Sequence, residues 1–150
     1  MKILLFGFCN FDKKYINTRH NLGEMFLNYL IKQHKIKNNW IKKDNVIIIE
    51  HDNTILAMPT TGYNIIGSSL QSIIKKERGL TNIILIHDDL RLKLGEIKVN
   101  YTSENINLLG LDKEFPSFHR NSHYGNNALK SIFRTCNNLP FIYLRIGTGY

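Results

Sequence analysis

The run Ile3-Leu4-Leu5-Phe6-Gly7-Phe8 decides the fold class. It does not alternate between apolar and polar residues, which is the pattern of a strand covered on both faces. Asn10-Phe11-Asp12 then breaks it as a loop. Beyond that loop Leu22, Met25, Phe26, Tyr29 and Leu30 recur at 3, 4, 7 and 8 steps. That spacing predicts one face of a helix from about Asn21 to Gln33, with Thr18 expected as its N-cap. A buried strand followed by an amphipathic helix is the opening unit of an α/β layering.

The same alternation continues outward. Lys35 to Asn45 is polar and basic and reads as a loop or edge segment. Val46 to Ile49 and Thr54 to Met58 are strand-like runs split by His51-Asp52-Asn53, which predicts a hairpin closed off by Pro59. Ile65, Ile66, Ser69, Leu70, Ile73 and Ile74 mark a second helix, starting near Tyr63 and ending before Gly79. Asn82 to Ile86 is another buried strand, closed by His87-Asp88-Asp89, and Glu96 to Tyr101 alternates as a further one. Residues 102–122 lack a period and read as a long, insertion-like loop. Gly125 to Arg134 predicts a third helix and Phe141 to Ile146 a last strand. The expected fold is one α/β domain over residues 1–150: three layers, α/β/α, with a twisted, mostly parallel mixed sheet and one antiparallel hairpin.

The chain has 150 residues, 43% of them hydrophobic, enough for one proper core. Twenty Lys and Arg against 12 Asp and Glu leave a net charge of +8, which favours an anionic partner, nucleic acid first. Cys9 and Cys136 lie far apart and read as reduced thiols. Met1 to Phe11 mimics a signal peptide, but the apolar run is short, no small-residue cleavage site follows, and Lys13-Lys14 come next. No apolar run approaches a membrane span. Glycine-rich nucleotide fingerprints and zinc spacings are absent, so neither a cofactor nor a metal is expected.

In such sheets a site forms beyond the carboxyl ends of the strands. Asn10, the stretch Pro59 to Asn64, and His87-Asp88-Asp89 all follow strands, so they are expected to meet. His20, in Asn17-Thr18-Arg19-His20-Asn21-Leu22-Gly23, sits where a loop turns into a helix. A neutral imidazole there can take a proton from water if a carboxylate fixes its other nitrogen, and Asp88 is the natural partner. Taken alone, a histidine at a helix start is as readily a cap or a surface residue. Asn10, Asn64 and Asn127 can donate to an ester carbonyl and accept from a ribose hydroxyl, or can simply form turns. Gly125-Asn126-Asn127 opens a helix whose free N–H groups favour an oxyanion, or form an ordinary N-terminus.

In order along the chain, these segments resemble the bacterial-type peptidyl-tRNA hydrolases. The family's opening signature appears as Asn10-Phe11-Asp12-Lys13-Lys14-Tyr15-Ile16-Asn17-Thr18-Arg19-His20-Asn21-Leu22-Gly23. Four more segments follow: Pro59 to Gly67, His87 to Gly95, Tyr124 to Ile132, and Leu144-Arg145-Ile146-Gly147-Thr148-Gly149. The resemblance implies cofactor-free hydrolysis of the ester between a peptide and the 3′ ribose of tRNA. His20 would be the general base, Asp88 its orienting carboxylate, and Asn10 a further member of the catalytic group. Asn10 and Asn64 would hold the peptide and ribose end. Asn127 and the Gly125 backbone would contact the peptide or the oxyanion, with Tyr15 and Tyr63 also on the substrate side. Lys98 and Arg145 match positions implicated in gripping tRNA phosphates. A cytoplasmic monomer is the expectation, with an organellar copy as the other location. Tyr63 stands where the family has Met, Asn126 where it has His, and Phe11-Asp12 replaces Pro-Gly. The 102–122 loop is longer than the family's connection, and the family continues past the position of Tyr150 into a helical segment. A member of another class, an RNA-binding protein with weakened catalysis on the same fold, is the competing expectation.

Overall fold

The computed structural model describes residues 1–10, 21–101, 126–136 and 139–149. The strands are β1 (Lys2–Gly7), β2 (Ile41–Lys43), β3 (Val46–His51), β4 (Thr54–Pro59), β5 (Leu80–Asp89), β6 (Ile97–Tyr101) and β7 (Ile142–Gly147). The helices are α1 (Leu22–Gln33), α2 (Ile66–Lys76) and α3 (Asn127–Thr135), with a 3-10 turn at Tyr63–Ile65 leading into α2. One sheet holds all seven strands in the order β2-β3-β4-β1-β5-β7-β6. Its centre, β4-β1-β5-β7, is parallel. The expected hairpin β3–β4 is antiparallel, but so are β2–β3 and β6–β7, so both flanks of the sheet are antiparallel rather than one hairpin alone.

The apolar run at residues 3–8 behaves as its pattern predicts. Leu4, Phe6 and Phe8 enter one core with Leu70, Ile73, Leu129 and Ile132 of α2 and α3. Leu5 turns to the other face, where Leu27 and Ile31 of α1 pack with Leu56 and Ile86. Two helices therefore cover one face and one helix the other, giving the three layers.

Three element-level expectations are corrected. The N-cap of α1 is Asn21, not Thr18, and Asn21 is tied to Asn10. The buried stripe of α1 is Gly23, Leu27 and Ile31, while Met25 and Tyr29 are exposed. Its rotation is set by Gly23, where a Cβ would lie 2.4 Å from the backbone N and O of Phe8. Only a glycine lets the helix touch β1 there, and the residues four and eight positions on must follow it inward. Third, β5 runs on to Asp89, so His87-Asp88-Asp89 is strand rather than a closing turn. The 102–122 loop lies outside the described residues.

Candidate active site

Because the four central strands are parallel, Gly7, Pro59, Asp89 and Gly147 end on the same side of the sheet. The strand exits are knitted together there. Phe8 N–H donates to the Ile86 carbonyl at 2.9 Å, and the Cys9 thiol donates to the Pro59 carbonyl at 3.7 Å. Burial, and then the charge of Glu24, push Cys9 up to about 12, so this thiol keeps its proton and serves as a donor.

Asn10 is held by its neighbour in space, Asn21. Asn10 N–H donates to Asn21 Oδ1 at 2.8 Å, and Asn21 Nδ2 donates back to the Asn10 carbonyl at 3.2 Å and to Glu24 Oε2 at 3.1 Å. Asn21 is 1% exposed. This amide clamp fixes the exit of β1 onto the start of α1, one residue along the chain from His20. The sequence singled out His20 within this stretch and gave Asn21 no role; its place inside the signature was the available signal.

Asp88, half-buried at the end of β5, accepts from the Tyr63 hydroxyl at 3.1 Å. Tyr63 Oη in turn accepts from Asn126 Nδ2 at 3.3 Å, and Asn126 Oδ1 accepts from Leu129 N–H at 3.0 Å, capping α3. Burial first, and then the charge of Asp88, raise the Tyr63 phenol above its ordinary range. Among the described residues nothing bonds to Asp88 Oδ2. The stretch Pro59 to Asn64 and the end of β5 therefore meet, through Tyr63 and Asp88, and the start of α3 joins them through Asn126. Asn64 and Asn127 are exposed, on that turn and on the first turn of α3. His20, Tyr15 and Gly125 lie outside the described residues.

His87 plays a different part from its neighbour. It is 1% exposed, stacked on Phe8 with ring centroids 5.4 Å apart. Its Nδ1 lies 2.9 Å from the Asp88 carbonyl oxygen, an acceptor only, so Nδ1 carries the proton. Burial lowers its pKa and keeps the ring neutral. It is a core histidine beneath the site.

Lys98 and Arg145 face each other across β6 and β7 but differ in environment. Lys98 is exposed, 3.5 Å from Glu96. Arg145 is buried, with Nε donating to Asp89 Oδ2 and Nη1 to Asn100 Oδ1, each at 2.8 Å. The Arg145 guanidinium, expected to meet phosphate, is engaged here by two side chains of the sheet. Asp89 and Asn100, which sequence reasoning passed over, are its partners. Among the described residues no group of three His, Cys, Asp or Glu side chains is placed to hold a metal.

A family model for peptidyl-tRNA hydrolase matches residues 4–150, nearly the whole chain. The chain belongs to the peptidyl-tRNA hydrolase family. The peptidyl-tRNA hydrolase of Clostridium tetani is 31% identical over 150 residues, covering 97% of this chain and 70% of that protein. That of Buchnera aphidicola is 29% identical, over 97% of this chain and 65% of its own length. The crystal structure of peptidyl-tRNA hydrolase from Acinetobacter baumannii superposes with a TM-score of 0.74 at 23% identity, covering 100% of this chain and 69% of that one. That likeness supports the three-layer fold. No helix among the described residues is long and apolar enough to cross a membrane.

Proposed function

We propose that this family member hydrolyses the ester linking a peptide to the 3′ ribose of tRNA. The observation that carries the reading is that the family match runs through the residues the parallel sheet gathers at one end: Asn10, Tyr63, Asn64, Asp88 and the start of α3. In this reading His20 takes a proton from water as the oxygen attacks the ester carbonyl. The other ring nitrogen donates to Asp88, whose Oδ2 has no bond among the described residues. The first turn of α3 carries N–H groups with no intrahelical carbonyl to bond, which suits the oxyanion that forms on the carbonyl oxygen. Collapse of that intermediate expels the ribose oxygen, which leaves protonated as the 3′ hydroxyl. Asn10 and Asn64 offer carboxamides to the peptide and ribose end. The excess of lysine and arginine supplies the phosphate contacts, with Lys98 the exposed candidate beside the site.

The test is peptide release from a peptidyl-tRNA analogue by wild type and His20→Ala. Loss of a general base should slow release by at least ~10²-fold. Wild type that binds tRNA and releases nothing would leave the RNA-binding reading in its place. A His20→Ala enzyme as fast as wild type would remove the role given to His20.

A further inference from the structure

We propose that Tyr63 is a positioning residue for the Asp88 carboxylate and that Asn126 acts on Asp88 only through Tyr63. The proposal rests on the esterase reading above and adds a role to two residues, Tyr63 and Asn126.

The argument is one of hydrogen-bond direction. Leu129 N–H can only donate, so the Asn126 atom facing it is the amide oxygen. That choice turns the Asn126 NH₂ toward Tyr63, 3.3 Å away. Tyr63 Oη is thereby the acceptor of one bond, and its single proton is left for Asp88 Oδ1 at 3.1 Å. Every polarity in the chain Leu129, Asn126, Tyr63, Asp88 follows from the first, and the helix N-terminus sets the first. The consequence for Asp88 is that, among the described residues, one oxygen is occupied by a neutral donor and the other is not. A carboxylate held in this way presents Oδ2 in a fixed direction, which an orienting partner for an imidazole requires. A thioether at position 63 would not donate to Asp88, and an unanchored phenol could rotate away.

Three further features fit positioning rather than substrate contact. The Tyr63 ring packs against the main core, so its hydroxyl arrives from below the site. Burial and the Asp88 charge keep the phenol protonated, so it remains a donor throughout the working pH range. Asn126 is the N-cap of α3, so the amide cannot turn over without uncapping the helix.

The experiment pairs Tyr63→Phe with Asn126→Ser. Phenylalanine keeps the packed ring and removes the donor. Serine keeps the N-cap oxygen and removes the NH₂. Peptide release by Tyr63→Phe should lose roughly tenfold in kcat, the size of one hydrogen bond to a charged group, with KM within about twofold. Asn126→Ser should lose a few-fold in the wild-type background and nothing further in Tyr63→Phe, because two residues in one chain are not additive. An independent readout is the Tyr63 Cζ resonance in ¹³C-tyrosine-labelled protein. It should stay unshifted where ordinary tyrosines titrate, about pH 10, and move toward that range in Asp88→Asn.

Unchanged kcat in Tyr63→Phe, or losses that multiply in the double variant, would overturn the proposal. So would a Cζ titration indifferent to Asp88→Asn. If wild type released no peptide, the esterase reading would fall, and the Tyr63 resonance would still decide whether the chain of bonds holds Asp88.

Discussion

Asp88 and Asp89 are chemically identical neighbours with opposite assignments. Asp88 is half-buried and accepts from the Tyr63 hydroxyl. Asp89 is 6% exposed and accepts from Arg91 N, Nε and Nη2 at 2.9, 3.0 and 2.6 Å, and from Arg145 Nε at 2.8 Å. Successive side chains on a strand point to opposite faces, so one residue's shift decides which carboxylate meets Tyr63 and which meets the arginines. The sequence shows only two acids after a buried strand, and nothing in the pair says which one faces the site. Burial alone would raise the Asp89 pKa. The side-chain and backbone bonds of Arg91, then those of Arg145, outweigh it and hold the carboxyl below its ordinary value. A depressed folded value means that stability is present above the unfolded pKa, about 3.9, and is lost as pH falls through the folded one. Asp89→Asn should therefore cost about 3 kcal/mol at neutral pH, because it leaves the Arg145 charge buried without its counter-ion. Urea unfolding of wild type and variant across pH should show the two curves converging below about pH 4. Parallel curves at all pH values would mean that Asp89 is not the group that titrates.

At the scale of elements, glycine contacts explain both what was legible and what was not. The helices were visible as 3.6-residue stripes, and the strands as apolar runs. The apolar stripe of α1 lies about one residue away from its buried face because a glycine carries no hydrophobic signal, yet Gly23 decides which side meets β1. The three-residue β2 was readable only as a possible edge, since all its residues are exposed and the strand exists by pairing with β3. The crossing of α2 and α3 is governed in the same way by Gly67, where a Cβ would lie 2.5 Å from the Ser131 carbonyl oxygen and 2.8 Å from Thr135 Oγ1. The Gly67 N–H also donates to Ser131 Oγ at 2.9 Å. Gly67→Ala gains at most about 1 kcal/mol of helix propensity. It must push two helix backbones apart, and overpacking of that kind costs about 1–3 kcal/mol. A net loss of about 1–2 kcal/mol should lower Tm by roughly 2–8 °C in a chain of this size. Because α3 carries Asn126 at its start, kcat for peptide release should fall with it. A variant that kept wild-type Tm would show that the crossing can open without strain.

Across the whole molecule the sheet separates two kinds of positive charge that composition counts together. A net charge of +8 predicts an anionic partner without saying which cations meet it. Lys98 and Arg145 sit opposite each other in register on β6 and β7. The edge strand exposes Lys98, while Arg145, on the inner strand, lies between Asp89 and Asn100 with a side chain 10% exposed. If Lys98 contacts a tRNA phosphate, Lys98→Ala should weaken binding with KM rising and kcat held. The slope of log affinity against log salt should then decrease by about one. Its Tm should stay at the wild-type value, since its 3.5 Å approach to Glu96 is an exposed pair of little weight. Arg145→Ala should do the reverse, losing about 1–3 kcal/mol of stability by removing one of the two guanidinium groups that hold Asp89 while leaving the salt slope of the folded fraction unchanged. Binding titrations over a salt series, run beside thermal unfolding of both variants, separate the two. A reduced salt slope in Arg145→Ala at full stability would return that guanidinium to the substrate, and an unaltered slope in Lys98→Ala would move the phosphate contact elsewhere on the basic surface.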